Sequence, residues 1–175
     1  MAHVPRILLI AAIFTCSARL PLDAQRHAQR PAVERLGFLV GTFEGEARVT
    51  APGAPTRTGR MSYRGEWDLD GAIVKANYEQ RFASGPVVSG HLVFRWRPQD
   101  STYAFEGYAN ALMDPHRLKG GWGGDGRLVF EGAMAGTAFR EFWQARGPDT
   151  LVTGMEFQQG DRWIPVSENI LVRKP

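Results

Sequence analysis

Residues 60–82 read RMSYRGEWDLDGAIVKANYEQRF, and this stretch decides the fold class. In its first half, Met61, Tyr63, Gly65, Trp67 and Leu69 alternate with Arg60, Ser62, Arg64, Glu66 and Asp68. A period of two is typical of a β-strand with one buried face. The Asp70-Gly71 pair then favours a tight turn, and Ile73–Phe82 supplies a returning strand. The stretch therefore predicts an antiparallel β-hairpin.

The same pattern of short apolar segments bounded by turn residues continues on both sides of this hairpin. It predicts ten strands, at Phe43–Val49, Arg60–Leu69, Ile73–Phe82, Val87–Arg97, Thr102–Ala109, Ala111–Gly120, Arg127–Met134, Thr137–Arg146, Thr150–Gln158 and Arg162–Arg173. The short links favour antiparallel pairing in chain order. An open sheet of ten strands would expose two edges and one apolar face. We therefore expect an all-β, up-and-down antiparallel barrel, with a β-sandwich as the alternative.

The first 24 residues have the features of an export signal. Arg6 precedes an apolar run at Ile7–Phe14, which is long enough for a signal peptide and too short to span a bilayer. Small residues allow cleavage after Ala18 or after Ala24, of which the second is preferred. A buried N-terminal helix is the alternative. The signal predicts an exported protein, periplasmic or secreted.

The rest of the chain is expected to form one domain. Residues 25–35 are predicted to be a polar arm and the start of a short helix, which spans Pro31–Leu39. Residues 36–175 are predicted to be a single barrel domain. Cys16 is the only cysteine and precedes the preferred cleavage site, so the exported chain would lack disulfides and thiolate metal sites.

The composition is that of a folded globular protein, with 43% hydrophobic and 22% charged residues. The 21 basic residues are interleaved with 18 acidic ones, giving a net charge of +3 and no basic tract that would favour nucleic-acid binding. No second apolar run has the length of a membrane span. We therefore expect no nucleic-acid partner and no membrane span, and the oligomeric state is left open.

From Leu36 onward the sequence resembles a bacterial family, domain of unknown function 1579. The matching stretches are LVGTFEGE at residues 39–46, the Gly90–Tyr103 hairpin, Thr137–Trp143, and Trp163, Glu168 and Arg173 near the end. Family members usually carry Trp where Phe43 stands. The family is similar in outline to the calycin superfamily of lipocalin-like and fatty-acid-binding barrels, whose members mostly hold apolar or amphipathic ligands. The resemblance implies a calycin-like barrel and carries no established activity.

Motifs for cofactors and metals are weak in this sequence. Gly121–Gly126 (GWGGDG) fits a dinucleotide-loop pattern, but a strand follows it where such a loop needs a helix, so a hairpin turn is predicted. His27, His91 and His116 are too few for a convergent metal site and are predicted to be surface or hydrogen-bonded histidines. Some calycin-like barrels bind haem near their last strand, but Pro165–Leu171 contains no histidine here. We expect no cofactor and no metal.

Catalytic residues are not assigned, because no serine lies in a nucleophile motif. Glu79, Glu106, Glu141, Glu156 and Glu168 fall on predicted strands and are expected to face solvent. An inward carboxylate would instead have a raised pKa and could act as a general acid or base. A barrel isomerase or hydrolase is therefore an alternative function, and an envelope interaction module with a filled barrel is another.

Aromatic residues on nearly every strand favour a ligand site inside the barrel. The predicted ligand-binding residues are Trp67, Tyr78, Trp96, Phe105, Arg140, Trp143, Glu156 and Asn169. Arg140 is the expected polar anchor, paired with Glu156, with Asn169 or with a ligand carboxylate; its alternative position is the outer face. The sequence thus predicts an exported barrel that binds a small apolar or amphipathic molecule in its lumen.

Overall fold

The computed structural model describes residues 30–50, 53–111 and 114–175. A turn of α-helix at residues 30–34 leads into a 3-10 helix at Arg35–Leu39. Ten strands follow: β1 Gly41–Val49, β2 Arg57–Asp68, β3 Ile73–Phe82, β4 Val88–Arg97, β5 Thr102–Ala109, β6 His116–Trp122, β7 Leu128–Met134, β8 Thr137–Ala145, β9 Thr150–Gln159 and β10 Arg162–Arg173. The predicted signal peptide and the start of the polar arm lie outside the described residues. Within those residues, no helix has the length and apolar character that crossing a bilayer requires.

The ten strands form one closed antiparallel barrel in which neighbours in the chain are neighbours in the sheet. The ring closes between β1 and β10, where Phe43 lies opposite Arg173 and Ala47 opposite Asn169. The Lys174 N–H extends this seam by donating to the Thr42 carbonyl at 2.8 Å. The predicted up-and-down barrel is confirmed, and its closure pairs both edges of every described strand.

The hairpin predicted from the alternating sequence forms as β2 and β3, with Tyr63 opposite Tyr78. Its turn requires a positive φ at Leu69 (48°) as well as at Gly71 (78°). Because a residue whose backbone φ is positive cannot continue an extended strand, Leu69 leaves the sheet and its side chain is exposed. Strand β2 therefore ends at Asp68, one residue earlier than predicted.

The predicted start of β6 at Ala111 is wrong, since the strand begins at His116. Pro115 has no N–H to donate to a neighbouring strand, so pairing with β5 starts only after it, with His116 opposite Gly107. At its other end β6 runs through Trp122, which lies opposite Leu128. The glycine-rich turn predicted at residues 121–126 is present but shorter than expected.

Residues 30–39 close one end of the barrel, and we call them the plug. Leu36 and Leu39 are fully buried. Tyrosine hydroxyls hold the plug from the barrel wall: Tyr63 donates to the Leu39 carbonyl at 3.0 Å and Tyr103 to the Ala32 carbonyl at 2.8 Å. The helix predicted over residues 31–39 is present, but its second half is a 3-10 turn. The tighter turn suits this position because it stacks residues three apart, as Leu36 and Leu39 are.

Gly65 of β2 allows the plug to approach the wall closely. A methyl group at this position would lie under 3.0 Å from the Leu39 carbonyl oxygen and 2.8 Å from the Tyr63 hydroxyl. Because real Cβ contacts essentially never fall below 3.0 Å, no larger residue fits without moving the plug.

Aromatic side chains fill the half of the barrel next to the plug. The Phe94 ring centroid is 5.1 Å from that of Phe105 and 5.1 Å from that of Trp143, and Phe105 lies 5.3 Å from Phe130. All four side chains are buried. The opposite end carries the hairpins β1–β2, β3–β4, β5–β6, β7–β8 and β9–β10, and we call it the open end.

Candidate ligand cavity in the barrel lumen

A cavity of about 420 Å³ occupies the half of the lumen towards the open end. Its described lining consists of Val49, Thr50, Met61, Tyr78, Gln80, Val88, Leu92, Phe105, Gly107, Ala109, Ala111, His116, Glu141, Trp143, Thr153, Gly154, Met155, Phe157, Val166, Ser167 and Asn169. Most of these side chains are apolar or aromatic. The volume falls within the range of about 300–1,000 Å³ that is typical of small-molecule pockets.

The cavity exists because small residues stand where large ones would fill the barrel. Gly107, Ala109 and Ala111 lie together at the end of β5 and just beyond it. On the plug side, Phe105 and Trp143 form an apolar floor, with ring centroids 6.4 Å apart. The Trp143 Nε1 is buried and forms no hydrogen bond within the described residues, so the floor carries an unsatisfied donor.

One polar group in the cavity wall is an amide pair. The Gln80 side-chain nitrogen donates to the Asn169 side-chain oxygen at 3.2 Å and contacts the Met61 sulfur at 3.5 Å. Asn169 and the neighbouring Thr153 are the two buried polar residues of the described core, at 5% and 4% exposure. They lie opposite each other on β10 and β9, which fixes both side chains in the wall of the cavity.

The second polar group is an imidazole–carboxylate pair. The His116 Nδ1 lies 3.1 Å from the Glu141 Oε1, and the two side chains are only 15% and 14% exposed. The His116 ring also packs 5.2 Å from the ring of Phe139. Burial and, to a lesser degree, the negative charge of Glu141 raise the pKa of Tyr78 to about 12. The Tyr78 hydroxyl therefore stays protonated near neutral pH, within the field of this carboxylate.

Four of the eight predicted ligand-binding residues line the cavity. These are Tyr78, Phe105, Trp143 and Asn169. Trp67 and Trp96 have the inward phase of their strands but lie at the plugged end. There Trp67 approaches Gly37 and is 38% exposed, and the Trp96 ring packs 4.9 Å from that of Tyr103. Neither tryptophan reaches the cavity.

Arg140 and Glu156 lie on the outer face of the barrel, so the inward position predicted for them is wrong. The expected ion pair between the two does form. Glu156 also binds Arg127 at 3.1 Å, and the Arg140 guanidinium lies 4.4 Å over the Trp163 ring. On β8 the side chains that point inward are Glu141 and the residues two positions before and after it, Phe139 and Trp143. On the outer face, the ion pair of Arg140 and Glu156 also avoids the desolvation cost that burial in the lumen would impose on both charges.

Sequence reasoning missed Glu141, His116 and Gln80 as cavity residues. The expectation that strand carboxylates face solvent is wrong for Glu141. Glu141 shares its phase on β8 with Phe139 and Trp143, but Phe142 in the opposite phase is buried as well, so the strand pattern alone does not single it out. His116 is a hydrogen-bonded histidine, as predicted, but its partner faces the cavity. His91 lies outside instead, exposed and hydrogen-bonded to Asn77.

No group of three or more His, Cys, Asp or Glu side chains converges among the described residues in a way that could hold a metal ion. Within that part of the chain, the His116–Glu141 pair supplies two potential ligands. Three are the usual minimum for a protein metal site.

Two solved structures are similar to this barrel. Rv2717c from M. tuberculosis superposes with a TM-score of 0.63 and 15% sequence identity, over 83% of this chain and 98% of that one. The S-type phycobiliprotein lyase CPES from Guillardia theta gives a TM-score of 0.58 and 14% identity, over 83% and 92% of the two chains. No protein-family model matches the sequence, and no curated protein is detectably similar to it. At these identities the likeness establishes the fold alone, which is a closed antiparallel β-barrel.

Proposed function

We propose that this protein binds a small amphipathic molecule inside the barrel. The observation that carries the proposal is the 420 Å³ cavity, because it leaves half of the lumen unfilled while the other half is packed with aromatic side chains. A lumen with only a structural role would be expected to reach the packing density of a protein core throughout. Burial of an apolar ligand surface would supply affinity at about 25 cal/mol per Å².

The arrangement of polar groups supports an amphipathic ligand over a purely apolar one. The Gln80–Asn169 and His116–Glu141 pairs offer hydrogen-bonding atoms in a mostly apolar wall. A few fixed polar groups in an apolar pocket orient a ligand and make binding specific. The structure named as a phycobiliprotein lyase is similar in fold, and this likeness supports a barrel that holds a small molecule.

A dye-binding experiment with a filled cavity tests this proposal. The neutral dye N-phenyl-1-naphthylamine should fluoresce on binding to the wild-type protein. Ala109→Trp places a large side chain in the cavity wall and should abolish that signal. Ala133→Trp is the matched control, since Ala133 is an exposed strand alanine away from the cavity. Equal dye binding by both variants, or none by the wild type, would refute the proposal. Native mass spectrometry of the purified protein would identify a retained ligand.

A barrel enzyme is a second candidate, supported by the inward Glu141 beside His116. A carboxylate that orients an imidazole in a sheltered cavity is a common general-base arrangement. Hydrolysis of p-nitrophenyl octanoate above the buffer rate, lost in His116→Asn and retained in His91→Asn, would favour this candidate. Equal rates for both variants would exclude this pair as the catalytic base.

Export and family membership are further parts of the proposal. The apolar run at residues 7–14 supports export, and a periplasmic fraction whose mass matches cleavage after Ala24 or Ala18 would establish it. Recovery of the intact chain from the cytoplasm alone would contradict it. Membership of domain of unknown function 1579 stays a prediction from the sequence stretches quoted above.

A further inference from the structure

The described lining of the cavity contains a carboxylate but no lysine or arginine. Glu141 is its one acidic side chain, and His116, its one histidine, is already paired with Glu141. Arg57 stands at the open end, but its guanidinium donates to the Ser84 carbonyl and lies 4.9 Å over the Phe82 ring. Arg140, which the sequence predicts as the anchor for a ligand carboxylate, faces outward. Among its described lining residues, the cavity therefore offers no lysine or arginine to a bound anion.

The Glu141 carboxylate is only half engaged. Its Oε1 meets the His116 imidazole, and its Oε2 forms no hydrogen bond within the described part of the chain. The side chain is 14% exposed, so water solvates it poorly. A sheltered carboxylate with a free oxygen is stabilised by a cationic hydrogen-bond donor. His116 engages one of the two carboxylate oxygens and leaves the other open to a second donor.

Aromatic side chains surround the same space. Tyr78, Phe105, Trp143 and Phe157 all line the cavity with Glu141. The faces of such rings attract ammonium groups, most strongly where water is excluded. Burial is the main cause of the raised pKa of Tyr78, and the charge of Glu141 adds to it.

From this combination we infer that the preferred ligand is an amphipathic organic cation, with its ammonium group at Glu141 and its apolar part against the aromatic and aliphatic wall. This inference rests on the proposed function, since it names the ligand class of the same cavity. It also replaces the ligand carboxylate expected from the sequence with a group of opposite charge.

A matched set of three ligands tests the charge preference. Octylammonium, 1-octanol and octanoate share one apolar chain and differ in the head group, and calorimetric titration of the whole protein at pH 7 gives the affinity of each. We expect octylammonium to bind about tenfold or more tightly than either of the other two, because only it can pair with a poorly solvated carboxylate. Glu141→Gln should remove this advantage and leave the affinity for 1-octanol unchanged.

Glu156→Gln is the control, because Glu156 lies on the neighbouring strand with a closely similar side-chain exposure of 12% but faces outward. It should keep the octylammonium preference, provided that circular dichroism shows both variants folded. If octanoate binds as tightly as octylammonium, or if Glu141→Gln leaves the preference intact, the inference is overturned while ligand binding stands. If none of the three binds the wild type, the proposed function fails as well.

Discussion

Replacing Gly65 by alanine should detach the plug from the barrel wall. The new methyl group would overlap the Leu39 carbonyl oxygen and lie 2.8 Å from the Tyr63 hydroxyl. Both atoms belong to the 3.0 Å hydrogen bond that fastens the plug, and their residues are at most 1% exposed. Relief of the overlap requires the plug to move outward, which lengthens or breaks that bond.

The expected cost combines two contributions. A buried donor and acceptor left without partners cost about 1–3 kcal/mol. Forcing a methyl group into packed surroundings costs about 1–3 kcal/mol more, and the better strand propensity of alanine returns up to about 1 kcal/mol. The free energy of unfolding should therefore fall by about 1–6 kcal/mol, a large share of the ~5–15 kcal/mol stability of an ordinary domain.

Urea unfolding followed by tryptophan fluorescence measures this loss. Gly121→Ala is the control, because Gly121 also lies in a strand but has no atom within 4 Å of the added methyl group; its effect should stay within about 0.5 kcal/mol. Tyr63→Phe completes a double-mutant cycle, and its cost should shrink in the Gly65→Ala background, where the bond is already broken. Additive costs, or a Gly65→Ala variant as stable as its control, would refute this account of the plug.

Three further predictions concern the cavity, the outer face and the plug. Because the pKa of Tyr78 is raised from 10 to about 12, the folded protein keeps a proton that the unfolded chain loses between pH 10 and 12. The free energy of unfolding should therefore fall over this pH range, by on the order of 2 kcal/mol more in the wild type than in Tyr78→Phe. Urea titrations at each pH would measure this difference. Arg140→Met should lower stability by less than about 1 kcal/mol, since Glu156 keeps Arg127, and a dye-affinity loss beyond about threefold would contradict the outward placement. Leu39→Ala should cost about 2–5 kcal/mol in the same urea assay, against under about 0.5 kcal/mol for the exposed Leu69→Ala; equal costs would contradict the burial of the plug.

The fold was predictable because its signals are local. Alternation from Met61 onward and the Asp70-Gly71 turn specify a hairpin without reference to the rest of the chain. Ten such strands with short links leave closure as the arrangement that pairs every edge. Where a single residue interrupts the pairing, as Pro115 does before β6, the predicted boundary moves by several residues.

The polar anchor was not predictable, because β8 carries aromatic residues on both of its faces. Phe139 and Trp143 point inward, whereas Phe142 is buried on the outer face under the Arg127 guanidinium, 4.9 Å from its ring. Hydrophobicity therefore does not tell which phase of the strand is the inner one. Choosing the wrong phase exchanges Arg140 for Glu141 and reverses the charge assigned to the site.

The cavity itself depends on the summed side-chain volumes of residues from many strands. Gly107 and Ala109 are unremarkable in sequence, and each leaves space only because residues across the lumen do not reach it. This match of side-chain volumes exists only in the assembled barrel and cannot be recognised in the sequence of any single strand.

The joint between the first and last strands also governs the order of folding. Arg173 donates to the Val40 carbonyl at 2.9 Å across a separation of 133 residues, so this joint cannot form until almost the whole polypeptide is present. Contacts this distant in sequence slow folding, because their loop entropy is lost before they contribute stability. Asn169, on the last strand, completes the chamber wall only at that moment. A nascent or truncated chain would thus form most of the hairpins but would lack a closed site for a ligand.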